Sequence, residues 1–274
     1  MDLRAFLLSA HPARRLWRER VRTELALARV EILDTDECRA GGDAARARWR
    51  PRDAWEDGRV QSPDEREDLS RLYPLIIGAA ATIVAIVLLW LVTSVRRDQP
   101  FPIDIWWHEL MANRTDAGLV VAWIPSHLGG PALASVTGLV VVGTLCILRW
   151  WWAAVTVAVT LLLCIAIAAP LARVVARIRP EDSLAEVVPT AFPSGHVAFA
   201  AALTTVLALL FRHWLWLVLG AVWVVWMAWS RMYLSAHWLT DVIGGVFLGV
   251  AVAILVWASV ETIRRRRAAS RPDR

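Results

Sequence analysis

The sequence predicts an all-α, polytopic membrane protein: a six-transmembrane-helix bundle preceded by a polar region that carries an N-terminal amphipathic cytoplasmic helix. Three observations predict it. The 274 residues are 57% hydrophobic and include 17 tryptophans, which is beyond an ordinary soluble domain. Charged residues make up 20% of the chain and gather towards its two ends. Leu75–Val95 contains no charged residue and is long enough to cross a hydrocarbon core of about 30 Å. A long polar stretch precedes it and further apolar stretches follow, so it does not read as a signal peptide.

The elements follow in order. Residues 1–73 form a polar cytoplasmic region. Within it Val21, Leu25, Ala28 and Ile32 recur at helical spacing, with Leu16 and Trp17 one turn earlier. That pattern predicts an amphipathic helix lying on the membrane surface or forming a homodimer contact. Residues 40–70 mix Gly, Pro and charge and read as a linker. The membrane domain is expected over 74–260. After the first span, Trp106 and Trp107 suit the membrane interface and mark one short interfacial helix. Asp104, His108 and Glu109 read as a face of that helix, with substrate contact as the second reading. Further spans are expected at 131–148, 152–171, 196–211, 214–229 and 238–260. Several of these are near the short limit of about 17 residues. A basic tail, 261–274, closes the chain.

Orientation follows from basic residues in short loops. Arg264–Arg267 should be cytoplasmic, and six spans then place both termini inside. Arg173, Arg177, Arg179 and Arg231 fall on the outer side and oppose the rule. The formal charge is +5 and every basic residue is Arg; there is no Lys. With no basic stripe interleaved with aromatics on a polar face, nucleic acid is not an expected partner. Three cysteines give no disulfide framework.

Three segments carry chemistry: "LARVVARIRPEDS" at the exit of the third span, "PSGH" at the entry to the fourth, and "SRMYLSAHWLTD" between the fifth and sixth. Six spans bring all three to one outer face. Arg guanidinium groups hold phosphate oxygens in a fork and stay charged. Ser194 and Gly195 open a helix, where backbone N–H groups and the dipole favour an anion. His237 and Asp241 are four residues apart, so on a helix they are neighbours. A carboxylate on one imidazole nitrogen leaves the other free to attack. Two His, one Asp, several Arg and an anion-binding helix start make a phosphoryl-transfer site.

These motifs resemble the type 2 phosphatidic acid phosphatase superfamily, whose membrane members are lipid phosphatases and whose soluble relatives include vanadium haloperoxidases. The family pattern is Lys-x6-Arg-Pro, then Pro-Ser-Gly-His, then Ser-Arg-x5-His-x3-Asp. The second segment matches as Pro193, Ser194, Gly195 and His196, and the third as Ser230, Arg231, His237 and Asp241. The first matches only in Arg179 and Pro180; the position for Lys is Ala172. The resemblance implies that His237 is the nucleophile and Asp241 orients it. It also implies that His196 protonates the leaving lipid oxygen and then activates water. Arg179, Arg231, Ser194 and the backbone at Gly195 would hold the phosphoryl oxygens, with no metal and no cofactor. Arg173, next to Ala172, is expected to supply the missing cation, with Arg177 as the alternative.

The expected activity is hydrolysis of a lipid phosphate or diphosphate on the outer leaflet, of the polyprenyl diphosphate, phosphatidylglycerol phosphate or phosphatidic acid class. The partners are the lipid bilayer and that substrate. Two alternatives stand beside it: a lipid-linked phosphotransferase with an acceptor other than water, and a protein that binds or transports lipid phosphates without turnover.

Overall fold

The computed structural model describes residues 63–95, 99–185 and 190–270. The unit Met1–Arg66 lies almost wholly outside them, and with it the amphipathic N-terminal helix and its homodimer contact. The unit Glu67–Arg274 is built from α-helices. In chain order these are α1 (Pro63–Trp90, continued by a π-helical turn, Leu91–Val95), α2 (Pro102–Met111), α3 (Asp116–Leu128), α4 (Pro131–Ile147), α5 (Trp151–Val175), α6 (Gly195–Phe211), α7 (Trp214–Tyr233) and α8 (Leu239–Ala269).

A helix lies at each of the six expected span positions, but not all are of span length. Leu72–Ser94, Trp151–Val175, Trp214–Tyr233 and Leu239–Arg267 are long and apolar enough to cross a bilayer. Helices α3 and α4, bent by 54° at their junction, pass as a fifth when taken together. Helix α6 has 17 residues and falls short. The described residues therefore hold four or five candidate spans.

One sequence expectation needs correction. One short helix is expected between the first two spans; two helices, α2 and α3, lie between α1 and α4. Helix α3 starts because the Thr115 hydroxyl accepts a hydrogen bond from the Gly118 N–H at 3.1 Å, with Asp116 in the positive first turn. The described part of the basic tail is helical. Helix α8 runs through Arg264–Arg267 without a break, and Glu261 accepts hydrogen bonds from Arg264 and Arg265 one turn on.

Helix α6 is the inner helix of the bundle. Ala198, Ala200, Ala201 and Ala202 are all buried, and it packs against α5, α7 and α8. Small residues let helices approach closely where lipid gives no hydrophobic drive. Gly245 on α8 shows how closely: a Cβ there would lie 2.6 Å from the Ser194 carbonyl oxygen. The first turns of α8 are thereby fixed against the start of α6. At the other end of the bundle Arg267 stacks its guanidinium over the Trp152 ring at 5.6 Å. The end of α5 and the starts of α6 and α8 thus meet at the face away from the terminal arginines.

Two connections complete that face. Ala176, with a left-handed φ of 48°, ends α5. The chain then forms a hairpin-like loop closed by the Ile178–Thr190 bridge and by a bond from the Ala191 N–H to the Arg177 carbonyl at 2.7 Å. After α7 the Arg231 carbonyl accepts from the N–H groups of Ala236 (3.0 Å) and His237 (3.2 Å), fastening the turn that carries His237. The two connections are joined by the Leu184 N–H to the Leu234 carbonyl (3.0 Å) and the Trp238 indole N–H to the Ile178 carbonyl (2.8 Å).

Candidate active site

A cavity of about 420 Å³ opens at this face. Arg179, His196 and His237 line it together, with Pro193 and Gly195 at the start of α6. Its remaining wall is largely apolar, from Pro131 and Ala134 on α4, Cys164, Ile165, Ala168, Ala169 and Ala172 on α5, and Phe199 on α6.

His237 is buried and its ring is held at both nitrogens. Nδ1 lies 2.7 Å from the Ala191 carbonyl oxygen. A carbonyl can only accept, so Nδ1 carries the proton and Nε2 presents a lone pair. Arg179 Nη1 donates towards that lone pair at 3.1 Å, and also to the Ala236 carbonyl. The charges of Arg179 and Arg231 bear on both His196 and His237. Arg231 is itself buried, with Nη1 donating to the Ser126 hydroxyl of α3 at 2.6 Å.

Ser194 caps α6 without a side-chain bond to the helix, although its N–H donates to the Asp241 carbonyl at 3.0 Å. Its hydroxyl is buried and, among the described residues, has no hydrogen-bond partner. A buried donor without a partner is costly, and this one sits where α6 turns its first N–H groups outward. Gly195 beside it is exposed.

Three expectations are placed differently. The Asp241 carboxylate does not make the hydrogen bond on His237 Nδ1. It stands 3.9 Å away, because its Oδ2 accepts from the Trp238 N–H at 2.8 Å and its Oδ1 from Arg177 at 2.5 Å. The backbone carbonyl of Ala191 takes the orienting place. Arg173 is exposed and does not line the cavity, whereas Ala172 does. One residue turns a helix by about 100°, enough to direct a neighbour outward. Arg177 is fully buried and points away from the cavity, into Asp104, Thr240 and Asp241.

Asp104 is the residue sequence reasoning misread. It is 1% exposed, not part of an interfacial face. It accepts from Arg177 Nη2 (2.6 Å), the Thr240 N–H (2.9 Å), the Thr240 hydroxyl (2.9 Å) and the Phe101 N–H (3.0 Å). The last of these is half of a capping box, and F-P-I-D before an aromatic run was its sequence signal. Outside this layer, Arg114 donates to Asp182 and Ser235, and His108 Nε2 lies 3.3 Å from Asp182. Partial burial pushes the Asp182 carboxyl up. The hydrogen bonds from Arg114 and Ser235 and the charges of His108 and Arg114 outweigh it and hold the carboxyl below its ordinary value.

Residues 153–265, which span every one of the motif residues, match the PAP2 superfamily. The chain is 35% identical over 89 residues to an undecaprenyl-diphosphatase of Sulfolobus acidocaldarius, covering 30% of this chain and 43% of that protein. The chain therefore matches less than half the length of that curated relative. A crystal structure of a transmembrane PAP2-type phosphatidylglycerolphosphate phosphatase from Bacillus subtilis shares the fold, with a TM-score of 0.62 over 69% of this chain and 98% of the other, at 22% identity.

Proposed function

We propose that the protein is an integral-membrane phosphatase that hydrolyses a lipid phosphate or diphosphate through a phosphohistidine on His237, without a metal ion. The observation that carries this reading is the state of His237: Nδ1 held by the Ala191 carbonyl and Nε2 at the cavity wall with Arg179 at 3.1 Å. A guanidinium so near Nε2 is within reach of the oxygens of any phosphorus atom that bonds there.

The steps follow from these positions. The Nε2 lone pair attacks phosphorus while the bond from phosphorus to the leaving oxygen breaks. That oxygen keeps the electron pair and takes a proton from His196 on the same cavity wall. Water then attacks the phosphoryl group and gives a proton to His196, and the P–N electrons return to Nε2. Arg179, Arg231, the Ser194 hydroxyl and the N–H groups at Gly195 hold the equatorial oxygens. Two arginines and a helix start supply the positive charge that a metal supplies elsewhere.

The apolar wall contributed by α4, α5 and α6 suits a lipid tail leaving a charged head at the histidines. The polyprenyl diphosphate, phosphatidylglycerol phosphate and phosphatidic acid classes all meet this description, and the relatives named above act on the first two. Six spans with both termini cytoplasmic would put the cavity mouth at the outer leaflet.

The test is phosphate release by the purified protein in detergent from undecaprenyl diphosphate, phosphatidylglycerol phosphate and phosphatidic acid, with and without chelator. Release from at least one, insensitive to chelator and abolished in a folded His237→Ala variant, is the expected result. Full turnover by His237→Ala would overturn the mechanism, and no release from any of the three would overturn the substrate class.

A further inference from the structure

Beside the catalytic cavity lies a layer of buried charge that the steps above do not use. Asp104, Arg177 and Asp241 are 1%, 0% and 0% exposed. Arg177 stands between the two carboxylates, at 2.6 Å from Asp104 and 2.5 Å from Asp241. Every hydrogen bond described on the four carboxylate oxygens is accepted: from Phe101, Thr240 and Arg177 on Asp104, and from Trp238 and Arg177 on Asp241. Carboxylates that only accept are ionised. One cation between two anions leaves a net charge of −1, and Asp241 Oδ2 lies 3.9 Å from His237 Nδ1.

That placement matters at one moment in the reaction. While Nε2 gives its lone pair to phosphorus, His237 keeps the proton on Nδ1, so the ring becomes cationic. The other charges that bear on it, those of Arg179, Arg231 and the protonated His196, are positive. Among the described residues Asp241 is the carboxylate within 4 Å of the ring. How much negative charge Asp241 presents depends on how far Arg177 is already matched, and that is set by Asp104. Capping α2 accounts for one of the four bonds on Asp104; the other three go to Arg177 and Thr240 on other elements.

We propose that Asp104, contributed by α2 outside the PAP2 stretch, is a positioning residue for phosphoryl transfer: by sharing Arg177 with Asp241, it leaves Asp241 the negative charge that balances His237 as it becomes cationic. This rests on the phosphohistidine reading. Asp104→Asn keeps the size and most acceptor positions but takes the layer from −1 to 0. Adding Arg177→Gln removes the cation as well and returns the layer to −1.

The experiment measures kcat and KM in detergent for whichever of undecaprenyl diphosphate, phosphatidylglycerol phosphate and phosphatidic acid the parent hydrolyses, with thermal unfolding alongside. Asp104→Asn should lower kcat by about 10- to 100-fold, the scale for partners acting one shell out, with KM within about 3-fold. The pair Asp104→Asn and Arg177→Gln should recover kcat to within about 3-fold of the parent. A residue that merely holds the fold would give the reverse: a lower Tm with parental kcat in the single variant, and a further loss in the pair. Either result overturns the proposal. If the single variant cannot be obtained folded, the pair decides alone, parental kcat supporting the proposal and a 10-fold loss or more overturning it. A parent with no turnover of undecaprenyl diphosphate, phosphatidylglycerol phosphate or phosphatidic acid overturns the substrate class, a His237→Ala variant with full turnover overturns the phosphohistidine reading, and either takes this inference with it. An active parent whose Asp104→Asn keeps full kcat sinks this inference alone.

Discussion

Replacing Gly245 by Ala should damage the site from the back of α8, although Gly245 contributes no chemical group. A Cβ at 245 would lie 2.6 Å from the Ser194 carbonyl oxygen, 3.3 Å from the Ala198 nitrogen and 3.4 Å from Val197 Cβ. Carbon–oxygen contacts settle near about 3.3 Å, so α8 and α6 must separate by roughly 0.7 Å. The Ser194 oxygen cannot turn aside, because it accepts the first bond of α6 from Ala198 at 2.9 Å. The displacement falls on Ser194, Gly195 and His196. Misplacement on the scale of 1 Å costs up to about 100-fold, so a loss of about 10- to 100-fold in kcat/KM is expected. Stability should fall by about 1–3 kcal/mol from overpacking, less about 1 kcal/mol that Ala regains over Gly in a helix. Gly143 on α4 is the control, since a Cβ there meets nothing within 4 Å. Gly143→Ala should keep full activity and raise Tm slightly. Phosphate release and detergent thermal unfolding on both variants measure the effect. A Gly245→Ala protein with parental kcat/KM would refute the reasoning about this contact.

Three further predictions follow the geometry. Arg179→Ala should lose about 2–4 kcal/mol of transition-state stabilisation, the scale for one donor at a developing charge, while the exposed Arg173→Ala stays within about 3-fold; equal losses in kcat/KM would return Arg173 to the site. Asp182 is held below its ordinary carboxyl value, so its contribution is present above the unfolded pKa of about 3.9 and disappears as pH falls through the lower folded value. With 47% of its side chain exposed, the contribution is about 1 kcal/mol or less. Asp182→Asn should flatten the acid side of the Tm–pH curve and reduce its salt dependence, and an unchanged curve would count against the loop contact. In a background with the three cysteines replaced, Glu181→Cys should react with an impermeant thiol reagent in intact cells and His213→Cys should not; the opposite pattern would invert the orientation and move the substrate to the inner leaflet.

What the linear sequence settled was whatever depends on local pattern. Uninterrupted apolar length places the helices, since backbone polar groups in lipid must be bonded within their own segment. The starts of α4, α6, α7 and α8 lie within a residue of where Pro131, Gly195, Trp214 and Trp238 mark them. The motif spacings also name Arg179, His196 and His237, which the fold gathers at one cavity. Partner choice was not legible. Spacing puts Asp241 four residues from His237, yet the hydrogen bond goes to the Ala191 carbonyl. That carbonyl arrives from a loop 46 residues away, and nothing in a side-chain pattern announces a backbone acceptor. Arg173 and Arg177 read alike along the chain, but the phase of α5 and the left-handed turn at Ala176 leave one exposed and bury the other between two carboxylates. The same burial bears on the arginines that oppose the orientation rule. Arg177 and Arg231 are bonded inside the protein, and the rule concerns charges in short loops. Asp104 shows the division most clearly. Its helix position follows from neighbours in sequence, whereas its charge has meaning only beside Arg177, 73 residues on. Electrostatic energy depends on distance in space and on the dielectric around the pair, and packing sets both.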